Sequence, residues 1–301
     1  MQSKILAMIV LLSLDTQASE PLPMEDWYKT DLSWQMPAEE ITELLAGDKS
    51  FLALKRSAFT AKVKGTILFI PDWSQHAASP KYLNLLRKEF NDYGWDTLAI
   101  AVPDAPFNDD IASLENYREQ LQQRIEVAMT SAMTENTTVI VVAQGSSAAF
   151  ISQLYADKKL QEPQSLILLE AYLPAAEQQR SLPLAIAKQQ VPTLDLMQQQ
   201  GNQQVAAQWQ LRKQLAKQQQ KLLYRQREIS GLVAQAETQQ RVFKEIYGWL
   251  SYQDREARSA GFYRPARPVL FVAQSCGYVA DFPALPPPFA GAAVTVPWRA
   301  R

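Results

Sequence analysis

The sequence predicts an α/β fold, with a mostly parallel central sheet and helices on both faces. Two observations carry this. Continuous apolar runs rich in strand formers recur at residues 66–70, 97–102 and 138–142, as strands buried on both faces of a parallel sheet do. Stretches with apolar residues at helical spacing separate them, and strands alternating with helices imply βαβ units.

Taken in order, residues 1–18 read as a cleaved secretion signal. Lys4 is followed by an apolar run of about ten residues, and Thr16 and Ala18 stand at the two small positions before a cut. The run is shorter than the ~20 residues that span a bilayer. Residues 19–38 form a polar N-terminal extension. The folded domain is expected over residues 39–252. It opens with short strands at 41–46 and 51–54 around Gly47-Asp48.

After the 66–70 strand, Pro71-Asp72-Trp73-Ser74-Gln75-His76 reads as a loop. A helix is expected from Ser79-Pro80, with Tyr82, Leu83, Leu86 and Phe90 on its apolar side. The 97–102 strand leads to a long helix over 111–133, then to the 138–142 strand and a helix from near Ser147. Strands at 166–169, 191–196 and 222–229 follow, with a Gln-rich helix over 203–221 and a last helix over 239–249. Residues 253–301 differ in kind. They contain no lysine, are rich in Arg, Pro and Ala, and include Pro286-Pro287-Pro288. They read as an atypical tail, disordered or joined by a frameshift.

Composition excludes several functions. Of 301 residues, 47% are hydrophobic and 20% charged, and the net charge is -1. A nucleic-acid binder that neutralises many phosphates needs a basic excess, which is absent. The single Cys276 and single His76 exclude a thiolate zinc centre and any multi-histidine metal site. No cofactor or metal is expected.

The informative segment is Val141-Val142-Ala143-Gln144-Gly145-Ser146-Ser147-Ala148-Ala149. A buried strand enters a helix through a small-x-Ser-x-small turn, the pattern that holds a strained serine nucleophile. In this register Ser147 is the candidate nucleophile, flanked by Gly145 and Ala149. The N–H of Ala148 is one candidate oxyanion donor, and the loop carrying Trp73 and Ser74 would supply the other and line a pocket. The acid and histidine of such a triad follow later strands. Those positions read Met197-Gln198-Gln199-Gln200-Gly201-Asn202 and Ser230-Gly231-Leu232-Val233-Ala234, with neither group. His76 is left as candidate base and Glu170 as candidate acid. Without a base, serine is a poor nucleophile at neutral pH.

The order of the 65–70 strand, the Pro71-to-His76 loop, Gly94-Trp95, the elbow, the 191–196 strand and Gly248-Trp249-Leu250 resembles a bacterial envelope family. That is the α/β-hydrolase-like domain-of-unknown-function family numbered 3530. The resemblance spans about residues 39–250. It implies an α/β-hydrolase sheet and leaves the activity uncharacterised. Pro71 stands where the oxyanion loop of the wider superfamily often begins with histidine.

Function is therefore expected to be that of a periplasmic protein with an incomplete triad, non-catalytic or binding. The alternative is a serine esterase or acyl hydrolase using Ser147. The expected partner is a small molecule or an envelope component, with no nucleic acid and no membrane span once the signal is removed.

Overall fold

The computed structural model describes residues 23–106, 110–136 and 138–259. The expected signal and most of the atypical tail lie outside the described residues. Eight strands form one sheet in the order β1-β2-β4-β3-β5-β6-β7-β8. They are β1 (Ile41–Ala46), β2 (Lys49–Arg56), β3 (Gly65–Ile70), β4 (Trp95–Ile100), β5 (Val139–Gln144), β6 (Ser165–Leu169), β7 (Thr193–Gln198) and β8 (Tyr224–Ile229). The β1–β2 hairpin pairs antiparallel with β4, and all later pairings are parallel.

Strand alternation splits the core into two layers, because successive side chains point to opposite faces. Leu68, Ile70, Val141, Ala143, Leu166 and Leu168 face one layer. That layer is covered by α3 (Ile111–Glu135), α4 (Gly145–Ala156) and α5 (Ala176–Lys188), through residues such as Leu121, Ile151 and Leu182. Ile67, Phe69, Ile140, Val142, Ile167 and Leu169 face the other. There they meet α1 (Met24–Gln35), α2 (Leu83–Asp92) and α7 (Ala236–Ser259), through Leu32, Leu86 and Ile246. Helix α6 (Gln203–Gln218) packs beside α5.

Several expectations shift. The Ser79-Pro80 helix begins only at Leu83, because Tyr82 takes φ 74°. Helix α1 lies inside the expected polar extension, and α7 runs on to Ser259, beyond residue 252. Helix α5 falls in a stretch where no element was expected. Its Pro183 reads as a breaker, since proline removes one helical donor. The carbonyl of Gln179 that this frees accepts a hydrogen bond from Gln208 Nε2 of α6 at 2.7 Å.

The polar residue within β7 has a structural role. Asp195 and Arg212 are both fully buried and paired at 3.3 Å. Tyr224 donates to Asp195 at 2.8 Å, and Arg212 donates to the Ala171 carbonyl at 2.6 Å. A buried ion pair survives only when hydrogen bonds offset its desolvation; these two contribute, while Arg212 Nε meets no partner among the described residues.

Candidate functional site

Strand order reverses at β3, which has β4 on one side and β5 on the other. Ligands of open α/β sheets bind outside the carboxyl ends of the strands at such a switch point. The Pro71-to-His76 loop leaves β3 there, and the elbow leaves β5 beside it.

The elbow turns at Gly145. Gln144 is extended, with φ -120° and ψ 145°, and Gly145 takes φ 58°, which glycine adopts without the Cβ penalty. Ala143 and Ser147, two residues to either side, are both buried, as the crossing backbones require. The small-x-tip-x-small motif is thus Ala143-Gln144-Gly145-Ser146-Ser147, two residues earlier than the sequence pattern suggested. The residue at the tip is a glycine, which has no side chain to react.

Ser147 accordingly lies away from the tip. It is fully buried in the α3-side layer, with Oγ 3.2 Å from the Tyr117 hydroxyl. Tyr117 stacks edge-on against Trp73 and tilts against Phe150, and burial raises its phenol well above the ordinary range. Trp73 belongs to this aromatic cluster and does not line the cavity described below. Ala148 sits inside α4, fully buried, so the first N–H beyond the tip is that of Ser146.

That N–H is taken. Asp72 Oδ1 accepts it at 2.7 Å, and Asp72 Oδ2 accepts the Ser74 hydroxyl at 2.8 Å. A carboxylate at a helix N-terminus is favoured by the dipole and by the free N–H groups. A Cβ added to Gly145 would overlap the Asp72 carboxyl group and stand 2.8 Å from its Cβ. The Asp72 side chain therefore fills both the space of a nucleophile and the seat of an oxyanion.

Above the elbow opens a cavity of about 390 Å³, lined by Asp72, Gln144, Glu170, Tyr172 and Gln198, among others. Ser74 also lines it. Glu170 follows β6 with φ 54° and is paired with Lys81 at 2.8 Å. Its Oε1 accepts the Asn202 N–H at 3.4 Å, an approach that Gly201 permits because a Cβ there would fall on that oxygen. Gln198 ties the end of β7 to its surroundings: it accepts from the Tyr82 hydroxyl at 3.0 Å and donates to the Gly231 carbonyl at 2.6 Å. Burial raises the Tyr172 phenol, with a further push from Asp72 and an opposing hydrogen bond with Ser146. Gln144 Oε1 is buried and meets no partner at hydrogen-bond distance among the described residues.

His76 is not part of this constellation. Its ring lies 5.2 Å from that of Tyr28, and its Nδ1 accepts the Ala78 N–H at 3.3 Å. It lines a separate crevice under α1 with Glu25 and Leu32. Burial lowers its pKa, partly offset by Asp31. Of the predicted residues, Glu170 and Ser74 reach the cavity, whereas Ser147, Ala148, Trp73 and His76 do not. Among the described residues no group of three His, Cys, Asp or Glu side chains could hold a metal ion, and no helix is long and apolar enough to cross a membrane.

The family model described as Protein of unknown function (DUF3530) matches residues 15–113 and 108–252. The chain belongs to this family. No curated protein sequence matches this DUF3530 chain. Its sheet is similar to those of solved esterases. Apo Thermogutta terrifontis esterase 2 superposes with a TM-score of 0.52 at 12% identity, over 76% of this chain and 97% of that one. The same enzyme phosphoramylated by tabun gives 0.51 at 11%, over 77% and 99%. Est1E from Butyrivibrio proteoclasticus with bound ferulic acid gives 0.52 at 10%, over 71% and 99%. At these identities the likeness establishes the α/β-hydrolase fold alone.

Asp72, Gly145, Gln144 and Tyr172 escaped the sequence reading as site residues. Two registers of the small-residue rule fit the segment, and placing serine at the tip selected the wrong one. The sequence offers no local means of choosing between them; in the structure the strand from Val139 ends at Gln144, which sets the turn at Gly145.

Proposed function

We propose that this chain is a non-catalytic α/β-hydrolase-fold protein that binds a small ligand in the cavity over its elbow. The observation that carries the reading is the Asp72 carboxylate on the Ser146 N–H, beside a glycine at the tip. Acyl transfer needs a nucleophile at the tip, a base within reach and open donors for the oxyanion. Here the tip has no side chain and the Ser146 donor is engaged. A cavity with convergent polar groups remains, which is what a binding site requires. Export to the periplasm through residues 1–18 is part of this proposal.

The competing reading, a serine esterase using Ser147, requires Oγ to leave Tyr117 and cross from the core layer into the cavity. Turnover of p-nitrophenyl acetate and butyrate distinguishes the two. The proposal expects the wild type to match the Ser147→Ala variant at background rate. Turnover that disappears in Ser147→Ala would overturn it.

A further inference from the structure

We infer that the cavity over the elbow takes an organic ammonium ligand, with the Asp72 carboxylate as its counter-ion. The inference rests on the binding reading above and adds the chemical class. The cavity, at about 390 Å³, lies in the range of small-molecule sites.

Among the described residues, three charged side chains line it: Asp72, Glu170 and Lys81. Glu170 and Lys81 pair with each other at 2.8 Å. Asp72 has no basic partner among the described residues. It is 6% exposed, so solvent ions screen it little. Its two protein donors, the Ser146 N–H and the Ser74 hydroxyl, are both neutral. The N-terminus of α4 adds about half a positive charge, which leaves about half a negative charge unbalanced. An ionised carboxylate also offers about four acceptor sites, and these two donors do not fill them. An ammonium group supplies both missing elements, the positive charge and the N–H donors.

Tyr172, on the same wall, registers the charge: burial and then Asp72 raise its phenol. Its ring adds to the attraction, because an aromatic face draws cations. Leu232 lines the cavity and is 55% exposed although apolar. Together with Val233 it offers a surface for the carbon body of an amine. A metal ion fits less well. Divalent metals take several protein ligands, and among the described residues no three His, Cys, Asp or Glu side chains converge. An anion would meet Asp72 and find Lys81 already engaged by Glu170. A neutral ligand would leave the Asp72 charge unbalanced.

The test is a titration of the purified protein, followed by ligand-observed NMR, with n-hexylamine, 1-hexanol and hexanoate. These share a carbon chain and differ in charge. We expect n-hexylamine to bind about tenfold tighter than either of the others. Asp72→Asn keeps the shape and removes the charge, and should weaken n-hexylamine by about tenfold. Lys81→Met, at a side chain 35% exposed, removes the cation from the wall and should tighten n-hexylamine by about threefold. That second variant decides the matter where Asp72→Asn fails to fold, since a merely loosened cavity would bind more weakly. Hexanol or hexanoate binding as tightly as n-hexylamine overturns the ligand class and leaves the binding reading standing. Silence from all three probes overturns the inference. So does n-hexylamine affinity unchanged in a folded Asp72→Asn, or unchanged or weakened in Lys81→Met. Hydrolysis of p-nitrophenyl acetate that is lost in Ser147→Ala would instead sink the non-catalytic reading while the ammonium class stands.

Discussion

Replacing Gly145 with alanine should be unusually costly, and the cost should depend on Asp72. Two effects contribute. An L-residue at φ 58° is strained by about 1–2 kcal/mol. The new Cβ would overlap the Asp72 carboxyl group, so the carboxyl must swing away and release the Ser146 N–H, which it holds at 2.7 Å. A hydrogen bond to a charged group contributes about 1.5–3 kcal/mol. The single substitution should therefore cost about 2.5–5 kcal/mol. In an Asp72→Ala background the carboxyl is gone and that bond is already lost. Gly145→Ala should then cost about 1–2 kcal/mol, with a small shift to relieve the remaining 2.8 Å Cβ approach. Urea unfolding of the four proteins in a double-mutant cycle measures the coupling, expected at about 2 kcal/mol. Costs that add within about 0.5 kcal/mol would show that Asp72 does not occupy the space in front of Gly145.

Three other outcomes follow from the same geometry. Ser147→Ala leaves the buried Tyr117 hydroxyl without its partner and should cost about 1–3 kcal/mol of stability; a melting temperature equal to that of wild type would contradict this placement. Arg212→Met strands a fully buried Asp195 and should cost about 3–5 kcal/mol; urea unfolding with an unchanged midpoint would refute the buried pair. Lys221 is buried, donates to the Ile186 and Gln189 carbonyls, and has its pKa pushed down by desolvation to about 7 from the ordinary 10.5. Between those values the unfolded chain binds more protons than the folded one, so wild-type stability should rise with pH, by at most about 1.4 kcal/mol per unit. Below about pH 7 both states are protonated and the full penalty persists. Lys221→Met should remove this rise, and parallel pH profiles of the two proteins would count against it.

The sheet was legible because its strands obey one physical rule. Runs such as residues 66–70 and 138–142 are apolar at every position, since both faces of a parallel sheet are covered. Two helices were not legible, for local reasons. Helix α1 buries Leu32 alone, so it carries no apolar stripe, and α5 contains Pro183, whose lost helical bond is replaced by a side chain from a distant segment. The site was half legible. Its location at the strand-to-helix turn follows from small residues, and Glu170 and Ser74, both named from the sequence, line the cavity there. Its chemistry depends on a register of two residues, and on a carboxylate from a loop some seventy residues earlier, with Asp72 reaching Ser146. Local pattern holds neither of these. The positive φ at Gly145 decides the first, and the β3–β5 pairing decides the second.

The central claim is that the elbow presents no reactive group. Intact-protein mass spectrometry after treatment with a fluorophosphonate tests it most directly, with a serine esterase of known reactivity run alongside. The account predicts no mass increase on this chain while the esterase is fully modified. A stoichiometric adduct mapped to Ser147 or Ser146 would contradict it.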